Sequence, residues 1–190
     1  MHSAKQNLQW SDLLDNHQRN RDFDLQGLKT ALSDSSAYAD KLHLDPNQER
    51  SWHQLLALIH ALDHLHRLYE RCEEDDNRAL TASAAKELSE QHHLLLTTVN
   101  QLSTLVEKNE WLIAVNITKQ TFTLIHEQKE HQRKTLMEST VSGSLTVLET
   151  TELAQALRWM DRVSWHLARI SHHYQNSFTL DQDRTIEPGL

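Results

Sequence analysis

Fourteen histidines are spread through the 190-residue chain, and several stand at spacings that set two potential ligands on one helix face. His60 and His64 are four residues apart, a separation that zinc sites use. Glu90 and His93 have the Glu-x-x-His spacing of carboxylate-bridged iron sites, and His126 with Glu130 repeats the four-residue interval. Each pair alone is incomplete. Arg67 and Arg71 follow His60 and His64 on the same face, where they would repel a cation. In so histidine-rich a chain such pairs also arise by chance, and a solvated or hydrogen-bonded imidazole is the simpler account of each.

Nucleophilic chemistry has less support. Cys72 lies in the run "RCEEDD", whose negative charge disfavours the thiolate. Ser171 stands beside His172, but no nucleophile elbow surrounds it, and no Gly-rich loop exists to cradle phosphates. The sequence therefore suggests no enzyme. His172 and His173 suit the C-terminal end of a helix, where the dipole favours positive charge.

The elements that position these residues are helical. Only three glycines and two prolines punctuate the chain, so long uninterrupted helices are expected and strands are not. Leu25, Leu28 and Leu32 predict a short amphipathic helix over about 21–42. Asp45, Pro46 and Gln48 form a helix start, after which Trp52, Leu55, Leu58, Ile59, Leu62, Leu65 and Tyr69 make one stripe. A second stripe, from Leu80 through Leu88 and Leu95 to Val106, predicts one helix over about 78–107.

Beyond a break near Lys108 to Glu110, Ile113, Ile117 and Leu124 are expected to face inward. The segment "HEQKEHQRK" that follows is polar on every side, so it either projects into solvent or meets a polar partner. The chain turns at "VSGS", Thr146 and Glu149 offer a capping box, and Leu153, Leu157, Met160, Val163, Leu167, Ile170 and Tyr174 define the last helix. Trp52, Trp111, Trp159 and Trp165 lie on or beside these stripes; Trp159 and Trp165 do not share a face, so one of them is expected at the surface. The expected fold is all-α: an antiparallel bundle of about five to six helices over 21–178, after a polar lead-in at 1–20 and before a disordered tail at 179–190.

The formal charge of -8, from 27 acids against 19 bases, opposes binding to a nucleic-acid backbone. It equally opposes a polybasic membrane contact. A lone cysteine excludes an internal disulfide and suits a reducing compartment. No apolar run approaches the length of a membrane span, and the N-terminus lacks the apolar core of a signal peptide. A soluble, intracellular chain is expected, with no insertion of this segment into the membrane. It could equally be the soluble part of something larger.

Two segments repeat. "LDHLHRLYER" at 62–71 and "MDRVSWHLAR" at 160–169 align without gaps, so Asp63 matches Asp161 and Arg71 matches Arg169. "MDRVSWHLARI" resembles the motif of PhoU, the phosphate-uptake regulator, which reads roughly L-E-R-I-G-D-H-x-x-N-I. Asp161 stands for its Glu, followed by Arg162, Val163, His166 and Ile170. The wording is closer still to the PhoU-like cytoplasmic tail of bacterial Na+/phosphate cotransporters, with "HEQKEHQRKTLMESTVSG" lying between the two segments.

The resemblance implies two related helical repeats, at about 21–107 and 108–178, and a regulatory domain at the inner face of the plasma membrane. Its implied partner is the membrane part of a phosphate transporter, with a homodimer possible. PhoU-type proteins also carry an acid-x-x-x-Asp motif that binds metal clusters. This chain departs from it twice: four residues after Asp63 stands Arg67, and four after Asp161 stands Trp165. Arg67 supplies the positive charge a metal would have supplied, in the favourable acid-before-base order.

No metal and no cofactor is therefore assigned. Asp63, Arg67, Arg71, Asp161, Arg162, His166 and Arg169 are expected to act as ion-pairing and contact groups. The alternative, of another class, is a histidine and carboxylate metal protein of hemerythrin or di-iron type, built from His60, His64, Glu90, His93, His126 and Glu130. A helical scaffold with no ligand is the third possibility.

Overall fold

The computed structural model describes residues 26–39, 41–42, 49–74 and 76–179, and its ordered elements are helices throughout. The chain divides into two compact units, 1–42 and 43–190. In the first, helix α1 spans 26–39. The helix start predicted at Asp45 to Gln48 lies outside the described residues, as do 1–25 and 180–190.

The second unit holds α2 (Glu49–Glu74), α3 (Asp76–Ala84), a single 3-10 turn (Lys86–Leu88), α4 (Ser89–Glu107), α5 (Trp111–Val141) and α6 (Val147–Thr179). The all-α fold expected from the sequence is observed: the five α-helices of the second unit form a bundle, and with α1 of the first unit the described residues hold six α-helices. α6 is the axis of the bundle. α2, α3, α4 and α5 all pack against it; Leu153, Ala156, Leu157, Met160 and Val163 form one buried stripe, and the buried His166 extends it on the side of α2. That explains why its apolar stripe was the clearest in the sequence.

The connection into α6 follows from local chemistry. Gly143 closes α5 with φ +76, a left-handed conformation that costs glycine little. Thr146 and Glu149 then form the expected capping box: the Thr146 amide donates to Glu149 Oε2 at 2.7 Å, and the Glu149 amide donates to Thr146 Oγ1 at 3.2 Å. The Thr146 amide and then the Thr146 hydroxyl, both donating to Oε2, hold the Glu149 carboxyl below its ordinary pKa.

The single helix predicted over 78–107 is instead broken. Ala85 is extended (φ -82, ψ 120), its amide closing α3 on the Thr81 carbonyl. Nothing in "TASAAKEL" breaks a helix; packing does. Ala82 and Leu88 are both fully buried in the core, yet on one straight helix they would point about 120° apart. The break turns both toward it and exposes Leu80, which the continuous stripe had placed inside. A Gln132 side chain from α5 bonds the Glu87 carbonyl in the turn.

Two further faces differ from expectation. On α2 the buried residues are Ala57, Ala61, His64 and Tyr69, while Trp52 and Ile59 are exposed. Small residues let α2 approach α6 closely. On α5, Ile113 and Leu124 are exposed, and the buried line is Ala114, Thr118, Thr121 and Ile125. Its threonines are satisfied locally or across the seam, as Thr98 and Thr121 meet hydroxyl to hydroxyl at 2.7 Å. A hydropathy stripe misses such a face because it scores threonine as polar.

Candidate functional site

α2 and α6 run antiparallel, and this brings the chain's histidines together. His60 and His64 stand one turn apart on α2; His166 and His173 stand two turns apart on α6. His60 faces His173, with ring centroids 5.2 Å apart. His64 faces His166, with the two Nδ1 atoms 3.3 Å apart in a buried contact. Trp165 lies edge-on to the His64 ring at 4.9 Å, and it is the exposed member of the Trp159 and Trp165 pair.

The surroundings of His64, His166 and His173 favour the neutral ring. Burial lowers the pKa of His64, helped by the Arg169 guanidinium. Burial, then His64 and Arg71, pushes His166 down to about 4. Burial, then Arg169 and His172, pushes His173 down to about 4. In the neutral His64–His166 pair one Nδ1 donates and the other accepts. Protonating both would set two N–H groups face to face.

The histidines of the metal alternative are placed differently from what it needs. The His64 and His173 rings stack with 13° between their planes, so their in-plane lone pairs do not converge on one point. Glu90 and His93 are exposed on α4, and Glu130 pairs with Arg133. Among the described residues, no group of three or more His, Cys, Asp or Glu could hold a metal ion.

The α2–α6 interface continues through Trp159, whose Nε1 donates to the Arg71 carbonyl at 3.2 Å. That carbonyl belongs to the last turn of α2, so Trp159 ties this end of α2 to α6. At the other end of α6, Trp111 stacks on Tyr174 at 4.8 Å and joins α5 to it.

The two aligned aspartates have different surroundings. Asp63 is exposed and pairs with Arg67 at 3.0 Å within α2, as expected. Asp161 is largely buried and reaches across to α5, accepting from His126 Nδ1 at 2.8 Å and from Lys129 Nζ at 2.7 Å. The polar segment "HEQKEHQRK" has thus met a polar partner. Gln128 accepts from Gln91 of α4 at 3.2 Å on its other flank.

Next to Asp161 a cleft of about 330 Å3 opens between α5 and α6, lined by Lys129, Glu130, Arg133, Ala154, Arg158, Asp161 and Arg162. Of the residues singled out in the sequence, Asp161 and Arg162 reach this cleft. His166 and Arg169 belong to the α2–α6 interface with Arg71, while Asp63 and Arg67 are exposed on α2 beside it. Sequence reasoning missed His173, Lys129, Arg133 and Arg158. His173 was legible as the residue seven positions after His166, on the same face. Lys129 with Arg133 and Arg158 with Arg162 are both four-residue pairs of bases.

No family model, curated protein or solved structure matches the chain. No helix among the described residues is long and apolar enough to cross a membrane.

Proposed function

We propose that the chain is a PhoU-like regulatory domain of a Na+-dependent phosphate transport system. It acts at the cytoplasmic side of the membrane, through helix-face contacts with the transporter's membrane part. What supports this reading is the register of α2 on α6. The two segments that carry the resemblance, 62–71 and 160–169, are the ones that meet. His64 touches His166, and Arg71, at the end of the first segment, bonds Trp159, just before the start of the second. Segments related by duplication and paired about a two-fold axis perpendicular to them run antiparallel and overlap along their length, as these two do.

The contact surface is the polar side of the same segment, where Asp63 and Arg67 are exposed as a pair. No residue is assigned catalysis. The test is Na+-dependent phosphate uptake by the membrane part of such a cotransporter, expressed with and without this chain, together with their co-purification. The expected result is association and altered uptake, both lost on Arg67→Glu with the fold intact. Unchanged uptake and no association would defeat the proposal.

A further inference from the structure

The cleft between α5 and α6 collects bases in a chain that is acidic overall. Lys129 and Arg133 stand one turn apart on α5, and Arg158 and Arg162 stand one turn apart on α6. Because the helices are antiparallel and Lys129 bonds Asp161, the two pairs face each other as a four-cornered frame. Two carboxylates also line it, and both are occupied. Asp161 gives one oxygen to His126 and the other to Lys129. Glu130 leans on Arg133 at 3.2 Å, an exposed pair within one helix. Arg158 and Arg162 have no hydrogen bond or ion pair among the described residues.

Two arginines four residues apart repel each other and disfavour the helix that carries them. A bound anion removes that repulsion. Guanidinium groups match a tetrahedral oxyanion better than ammonium does, because their planar fork bonds two oxygens at once. Facing pairs on two helices surround such an anion from opposite sides. The cleft is of small-molecule size, at the lower end of ligand pockets.

We propose that this cleft binds a phosphate-class oxyanion, with Arg158 and Arg162 as its principal ligands and Arg133 and Lys129 closing the frame from α5. Glu130 is the group the ligand displaces, since it holds Arg133 through an exposed pair of little strength. The site goes beyond the regulatory reading and does not depend on it.

The test is titration calorimetry of the full chain with inorganic orthophosphate and, separately, with pyrophosphate, at matched ionic strength in chloride. Saturable binding is expected. Arg158→Ala and Arg162→Ala should each weaken it about tenfold or more, as loss of a charge-assisted bond does. Glu130→Gln should tighten it, which no loss of fold would do, and Lys119→Ala on the exposed face of α5 should leave it unchanged. Tighter binding of orthophosphate assigns the site to free phosphate; tighter binding of pyrophosphate assigns it to a condensed phosphate or phosphate ester. Absence of saturable binding by either anion overturns the proposal, as does binding indifferent to both arginine variants. The readout is direct, so it can fail while association with a transporter succeeds, and the reverse.

Discussion

His64 and His166 meet Nδ1 to Nδ1 at 3.3 Å, each the buried centre of its helix's contact with the other. The contact exists only while at least one ring is neutral. His166 and His173 are held near 4 in the fold, below the ordinary 6.5. As pH falls below about 6.5, the unfolded chain therefore takes up protons that the folded chain refuses. Stability is full above that pH and declines as pH falls toward 4, where the folded rings protonate too. The slope is on the order of 1 kcal/mol per pH unit, a few degrees in Tm for a chain of this size. Melting curves between about pH 7.5 and 5 should show this decline. His166→Gln should flatten it; an unchanged slope would mean that the loss comes from other groups.

Asp63 and Asp161 are equivalent in the sequence alignment and unequal in the structure. Asp161→Ala leaves Lys129, itself mostly buried, without its carboxylate, and should cost about 2 kcal/mol. Asp63→Ala removes an exposed pair within one helix and should cost no more than about 0.5 kcal/mol. Chemical denaturation of both variants decides the matter. Equal losses would contradict the different burial of the two sites.

Ala61 lies almost fully buried on the face of α2 that carries His64, where α2 packs on α6. Ala61→Leu should force the helices apart and cost about 1–3 kcal/mol. Ile59→Ala, two positions away on the exposed side, should cost little. The reverse order in measured Tm would place the α2 interface on the wrong face.

The all-helical fold was legible because glycine and proline are so scarce and because the α6 stripe of leucines is so regular. The capping box at Thr146 was legible for the same reason: its chemistry is local. What escaped was tertiary. Ala85 breaks a stretch of good helix formers because Ala82 and Leu88 must both reach one core. The inward face of α5 escaped because threonines bury well once their hydroxyls bond a carbonyl or each other. The histidines were visible as pairs along the chain, but their partners lie about a hundred residues away. Spacing along one helix could suggest a shared face; it could not say that the facing residue would be another imidazole rather than a metal.

One turn of α6 separates Asp161 and Arg162 from Trp165 and His166. The first pair looks toward the cleft and α5, the second toward α2. A rod gripped on both flanks so close together behaves like an axle with two gears fixed to it. If α6 rolls by a few degrees to tighten the guanidiniums on one side, the imidazole contact on the other side is turned through the same angle. Neither flank can be adjusted in private.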